Sequence, residues 1–478
     1  MGDPSKYKDL SKNTLLFAIS SFGPRIITFL FVPLYTYVLS TEDYGNIDVV
    51  STTAQLLIPV LTLNIQDAIL RYALDKDYKS EEVLGAGIRI IGISSLLFAA
   101  VLVMIYNLKL FDFDVQHYYY LFFAYFLGVL NNCFSMYLRA KDRVHVLVFC
   151  GLSNALLTCL LNILLLLVVQ MGVTGYLIAN VAGTAVSVLV AFFFGKIWKE
   201  IKIRNAGKLL KEMVPYSLPL VLNSLAWWIN NASDRYILTY YRGAAENGIY
   251  AISYKVPTIL AAIQSVFYNA WSITAITKYD KEDMDGFIGN VYSLYSAVSF
   301  IVCSVLLLGN IIIAHLLYKG GFFEAWQYVP PLLMGTTMNG IALFEGCLFV
   351  AVKKTRAVSI TTIAGAIVNT ALNFILIPYI GALGAAVSTM LGYSVIWIIR
   401  TWQLRKIVKM KTDWINQFVT IGLLLLQTVI ALYQKIYWAQ IPISILILFL
   451  QRRQFFQLVS LIRSKIRGTD NNKDNENC

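Results

Sequence analysis

The stretches LLNILLLLVVQMGVTGYLIANVAGTAVS (160–187) and TALNFILIPYIGALGAAVSTMLGYSVI (370–396) decide the fold. Laid one over the other, they place Asn162 on Asn373, Gly172 on Gly381, Gly175 on Gly384 and Gly183 on Gly392, a shift of about 210 residues. Each runs from the end of one strongly apolar stretch into the next, so the repeated unit is membrane-spanning helix. Nearer the start, the turn at Tyr44-Gly45 corresponds to Asn247-Gly248, a shift of 203. Two halves of six helices followed by two further helices account for these offsets. Because six is even, both halves enter from the same side, which makes a parallel repeat about an axis along the membrane normal. Such a repeat places a transport path between halves that rock against each other, although Gly/Ala/Ser patterns also serve ordinary close packing of membrane helices.

Outward from this repeat, apolar stretches lie near 11–39, 46–73, 83–106, 117–138, 144–169, 172–195, 214–241, 248–276, 287–317, 327–351, 357–379, 382–399, 413–433 and 436–451. All but the last are long enough for about 30 Å of hydrocarbon. The chain is therefore expected to be an all-α polytopic membrane protein of about 14 transmembrane helices. We divide it into an N-terminal six-helix lobe (1–198), a linker (199–213), a C-terminal six-helix lobe (214–404), helices 13 and 14 (405–451) and a basic amphipathic segment with a disordered tail (452–478). Composition agrees: of 478 residues 58% are hydrophobic and only 14% charged, against about 25% charged in soluble domains. The first apolar run, Asn13 to Leu39, is too long for a signal-peptide core and carries Arg25, so it is expected to be retained.

With the amino terminus inside, 31 of the 39 basic residues fall in cytoplasmic segments. That bias sets an orientation with both termini cytoplasmic. The net charge of +12 is then mostly a topology signal. It is spread over short segments and is not the footprint of a nucleic-acid-binding domain. Five of the six cysteines lie inside apolar runs and read as small core residues.

Eight charged residues read as intramembrane: Arg25, Arg89, Arg235 and Lys255, with Asp48, Asp67, Asp234 and Glu345. Each is costly against lipid, so each is expected to pair or to line a polar cavity. Pairing alone is met by Asp67 with Arg71 one turn on, or by Asp48 with Lys255. Arg25 has no acid within one turn, and a guanidinium in the membrane suits phosphate because its fork makes two parallel hydrogen bonds and never loses its charge.

SMYLRAKDR (135–143), SDRYIL (233–238), NGIYAISYK (247–255) and NFILIPYIGALGAAVST (373–389), in this order and spacing, resemble bacterial oligosaccharide flippases. These are the O-antigen and capsule-unit flippases of the multidrug/oligosaccharidyl-lipid/polysaccharide exporter superfamily. The resemblance implies two lobes, a central cationic cavity, and movement of a polyprenyl-diphosphate-linked glycan from the inner to the outer leaflet of the bacterial cytoplasmic membrane. It makes Arg25, Arg235 and Lys255 candidate diphosphate or glycan contacts, with Asp48, Asp67, Asp234 and Glu345 lining the path or discharging the bases. The dense arginine cluster expected of lipid II flippases is missing.

Two other function classes compete with this reading. A cation-coupled multidrug exporter needs buried carboxylates in excess, whereas here four acids face four bases. A membrane glycosyltransferase or polymerase has only the scattered triplets Asp75-Asp77, Asp112-Asp114 and Asp283-Asp285 and no loop long enough for a catalytic domain. No G-x-x-x-x-G-K-[ST] loop is present. We therefore expect a transporter and not an enzyme, driven by H+ or Na+ or by downhill substrate flow, without metal or cofactor. Trp227, Trp228, Asn230, Asn231 and Asn269 are candidate sugar contacts.

Overall fold

The computed structural model describes residues 27–109, 114–202, 206–277, 279–284 and 286–457. Helices dominate and no strand occurs among the described residues. They are α1 (Val32–Val38), α2 (Thr41–Leu61), α3 (Ile65–Leu74), α4 (Ser80–Asn107), α5 (Val115–Ala140), α6 (Val144–Asn162), α7 (Gly172–Phe194), α8 (Ala206–Arg242), α9 (Ala244–Ser253), α10 (Pro257–Thr277), α11 (Phe287–Leu317), α12 (Val329–Ala351), α13 (Thr355–Leu404), α14 (Trp414–Ala431) and α15 (Gln440–Leu450), joined by short 3-10 or π segments.

Eight of the described helices are long and apolar enough to cross a membrane, ten when each of two bent pairs is one span. The shorter apolar helices Ile27–Val38 and Ile436–Leu450 and the polar-interrupted α8 account for three more of the expected stretches. The fifty-residue α13 supplies two, because it is broken. The chain is an all-α polytopic membrane protein. Its outward apolar side chains, among them Leu96, Val103, Ile312, Ile367 and Phe374, face where lipid tails would lie.

Two compact units emerge. One takes the chain as far as Lys255 with Leu317–Phe323 and Thr370–Ala385; the other takes Val256–Leu316, Glu324–Asn369 and the chain from Ala386. In the first, Ile65, Ile69, Tyr125, Tyr137 and Met213 are fully buried together. In the second, Trp271 stacks on Phe344 at 4.3 Å and Tyr292 and Tyr295 pack on the same ring.

Local chemistry sets the breaks. Gly381 takes φ 56° and ψ −137°, a left-handed conformation that only glycine enters freely, so α13 splits there. Gly172, its partner in the repeat, has φ +55° at the start of α7. Both cut ends at Gly381 are satisfied from one neighbouring strip of chain. Arg242 donates to the carbonyls of Ile377, Pro378 and Tyr379 at 3.3, 3.0 and 3.0 Å, and Glu246 accepts the Ala382 N–H at 2.7 Å. A cation thus covers a helix C-terminus and an anion an N-terminus, as the helix dipole favours.

At the start of α2, Ser40 and Asp43 form a reciprocal capping box. Between α2 and α3 the axis turns by 54°. The freed polar groups there are tied by Asn64, whose amide donates to Asp67 at 2.6 Å and accepts from Gln66 at 2.6 Å. Asp67 therefore serves this bend, and Arg71 pairs with Asp75 at 3.2 Å and not with Asp67. The SMYLRAKDR stretch holds the loop after α7: Tyr137 and Arg143 both donate to Glu200 at 2.6 Å. Burial works to raise that carboxyl, but hydrogen bonds from Tyr137 and Arg143 outweigh it and hold it below the usual range. Its contribution to stability is present above the ordinary carboxylate pKa and is lost as pH falls through the lowered one.

Helices α2 and α9 cross at two glycines in a reciprocal way. A Cβ on Gly45 would fall onto the Ala244 carbonyl oxygen, and one on Gly248 onto that of Thr41. Asn247 seals the crossing by donating to the Gly45 carbonyl at 3.2 Å. Because the obstacles are backbone atoms, Gly248→Leu cannot be absorbed by a rotamer change. It should destabilise the protein by about 3 kcal/mol or more, read as a lower thermal midpoint in lipid nanodiscs. An unchanged midpoint would show that the two helices separate at no cost.

Candidate functional site

Four of the ionisable residues expected inside the membrane come together in the first unit. From α2, the Asp48 carboxylate meets Arg235 Nε at 3.0 Å. From α8, Asp234 accepts from Tyr250 at 2.5 Å and Tyr254 at 3.2 Å and from the Arg235 backbone N–H at 2.9 Å. The Arg235 guanidinium lies over the Tyr254 ring, 5.3 Å from its centroid. Lys255, just after α9, is half-buried and has Asp48 and Arg235 as its electrostatic neighbours. Asp48 thus pairs with Arg235 and not, as its place in the repeat suggested, with Lys255 alone. Neighbouring tyrosines close the cluster: Ser51 shares a hydrogen bond with Tyr120 at 2.9 Å, and Thr53 one with Tyr236 at 2.6 Å.

Arg235 engages Asp48 end-on through Nε. Its two Nη groups, the pair that grips a phosphate or carboxylate in parallel, make no hydrogen bond among the described residues. The four charges sum to zero. Such a cluster is stable in a low-dielectric interior and still offers a guanidinium fork to an incoming anion.

The other expected site residues lie elsewhere. Arg25 is outside the described residues. Asp67 sits at the α2–α3 bend. Glu345 belongs to the second unit, where it is fully buried and accepts from Thr401 at 2.7 Å and Tyr292 at 3.4 Å. Of the candidate sugar contacts, Trp228 donates to the Thr52 carbonyl at 3.1 Å and packs on Tyr236, and Asn231 donates to the Trp227 carbonyl within its own helix. Asn230 is buried, and neither polar atom of its side chain has a partner among the described residues. Asn269 is exposed and lies in the second unit. Two of the DxD triplets are structural: Asp75 accepts the Asp77 N–H, and Asp283 accepts the N–H groups of Ile288, Gly289 and Lys411. Asp112 and Asp285 are outside the described residues.

Arg400 went unrecognised in the sequence. It closes an apolar stretch and reads as an interfacial base, yet it is only 2% exposed. Its guanidinium donates to the Ala342 and Val358 carbonyls at 2.7 and 3.2 Å and to the Thr361 and Thr362 hydroxyls at 3.0 and 2.9 Å. It is close enough to Glu345 for the two charges to act on each other.

The model of the family described as polysaccharide biosynthesis protein matches residues 10–273. An uncharacterized membrane protein of Methanocaldococcus jannaschii is 21% identical over 443 residues, covering 82% of this chain and 83% of that one. The fold is shared with the lipid II flippase MurJ in its inward closed conformation, with TM-score 0.64, 14% identity, and 93% of this chain and 99% of that chain covered. It is also shared with an inward-facing multidrug resistance MATE family transporter of the MOP superfamily, with TM-score 0.61, 13% identity, and 83% and 100% covered.

Proposed function

Because the chain belongs to the polysaccharide biosynthesis protein family, we propose that it is a flippase. In this reading it moves an oligosaccharide linked to a polyprenyl diphosphate from the inner to the outer leaflet of the bacterial cytoplasmic membrane, by alternating access, for a surface polysaccharide of the O-antigen or capsule kind. The observation that carries the reading is the charge-balanced cluster of Asp48, Asp234, Arg235 and Lys255, in which the Arg235 fork makes no hydrogen bond among the described residues. A diphosphate entering the cluster takes the Nη pair while Asp48 keeps Nε. Lys255 adds a second positive charge without asking for planar geometry. Release on the other side follows when Asp48 and Asp234 recover both bases. The fold similarity to MurJ supports this direction of thought.

The test compares Lys255→Ala and Lys255→Arg with the parent in cells that hold no other copy. It measures lipid-linked units retained on the inner leaflet at equal membrane levels. Alanine should slow translocation at least tenfold, the equivalent of about 1.4 kcal/mol, while arginine keeps most of it. Equal rates in all three would remove the cluster from the transport path.

Glu345, buried against Thr401 and Tyr292, favours a second reading: a carboxyl that takes up and releases H+ or binds Na+ to drive the cycle, as in a cation-coupled exporter. Glu345→Gln keeps an acceptor for Thr401 while abolishing charge. Under this reading it leaves the protein folded and makes transport indifferent to an imposed ion gradient.

A further inference from the structure

Helix α2 presents Asp48, Ser51, Gln55 and Ile58 on one face, since these positions recur at helical spacing. Asp48 belongs to the ionic cluster. The rest of the face lines a cavity of about 310 Å³ inside the first unit, closed by α5, α6 and α7. Its polar lining is mostly carboxamide, from Gln55, Asn131, Asn132, Asn154 and Asn180, beside the hydroxyls of Ser51, Thr184 and Tyr120. Among the described residues, no carboxylate, lysine or arginine lines the cavity. Several amides are half-used by the protein and keep their other half for the cavity. Asn131 accepts from Ser187 at 2.9 Å, which leaves its amino group; Asn154 accepts from Thr158 at 3.2 Å; Asn180 donates to the Tyr176 carbonyl at 2.8 Å, which leaves its oxygen.

We infer that this cavity is a subsite for an uncharged sugar ring, the one attached directly to the diphosphate held at Arg235. The inference rests on the flippase reading and names which part of the substrate goes where. Carboxamides offer donors and acceptors side by side, which vicinal hydroxyls and acetamido groups require, and Tyr120 and Phe123 supply rings for the apolar face of a sugar. The volume falls at the low end of the range for small-ligand sites and is far too large for a bare ion. A cation here would lack the carboxylate that its burial demands. Distance fits as well. Seven residues of helix separate Asp48 from Gln55, about 10 Å of rise, so phosphate and sugar subsites follow one another along one helix face.

The experiment uses the full chain in lipid nanodiscs and a pair of probes, N-acetylglucosamine and N-acetylgalactosamine each carrying a photoreactive diazirine, with adducts mapped by mass spectrometry. Expected are adducts on peptides containing residues 51–58, 120–132 or 180–184, competed by the free sugar. Labelling should fall at least fivefold in Asn131→Leu/Asn180→Leu. Should that variant not fold, Gln55→Met, at an exposed position of α2, carries the same expectation. Adducts confined to other segments, or labelling by either probe that the variants leave intact, overturn the subsite. So does labelling abolished by sodium chloride but not by choline chloride, which would make the cavity a cation site. If labelling is lacking while cells still translocate their glycan, the subsite is wrong and the flippase reading stands. If labelling is as expected but Lys255→Ala transports normally, it is the assignment of the diphosphate that fails.

Discussion

Arg235→Ala should abolish translocation and also destabilise the protein by about 3–5 kcal/mol, since it removes the ion-pair partner of Asp48 and leaves the cluster of Asp48, Asp234 and Lys255 with an uncompensated negative charge inside the first unit. These two effects are separable. In the double variant Asp48→Asn/Arg235→Gln both charges go together, the amides still meet across the same gap, and the thermal midpoint should return most of the way to the parent's. Transport should not return, because an amide gives the diphosphate neither the fork nor the charge. We therefore expect lipid-linked units to accumulate on the inner leaflet at least a hundredfold over the parent in both variants, with only the single one unstable. Recovery of transport in the double variant would show that the ion pair is only architectural.

Arg400→Leu should be the most damaging substitution in the second unit. Its guanidinium ties α13 to α12 through the Ala342 carbonyl and braces α13 itself through Val358, Thr361 and Thr362. Removing it leaves these acceptors buried and Glu345 without its neighbouring positive charge, at a cost of about 3–5 kcal/mol. Arg400→Lys should recover little, because one ammonium cannot reach acceptors spread around a planar fork. Adding Glu345→Leu to Arg400→Leu should recover part of the loss, since groups in contact do not act additively. The readout is the thermal midpoint in nanodiscs. A midpoint in Arg400→Leu equal to the parent's would mean that the network carries no stability.

The reach of the sequence differs between these residues for physical reasons. The fourteen helical stretches were legible because hydrocarbon demands long apolar runs, and that demand is met by composition alone. The break at Gly381 was legible because one apolar stretch ends at 379 and the next begins at 382, whereas the positive φ that Gly381 shares with its repeat partner Gly172 came only with the structure. The SDRYIL segment did bring Asp234 and Arg235 into a charged cluster with Asp48 and Lys255. Their pairing was not legible, because the rotation of α2 about its axis relative to α8 is fixed by packing across about 190 residues of chain. Arg400 was hidden by its place at the end of an apolar run, where composition cannot tell a base that reaches headgroups from one that turns inward. The amide cavity was hidden because only Asn131 and Asn132 are adjacent, while Gln55, Asn154 and Asn180 stand singly on other helices, and a single amide in a span reads as packing.

The glycine crossing of α2 and α9 has a symmetry of its own. Thr41 and Gly45 exchange roles with Ala244 and Gly248 under one shift of 203 residues, so the contact maps onto itself when the two segments are swapped. Self-mapping contacts are what two identical polypeptides make when they associate around a two-fold axis. The crossing is thus a two-fold contact folded into a single chain, with each segment supplying the same obstacle to the other.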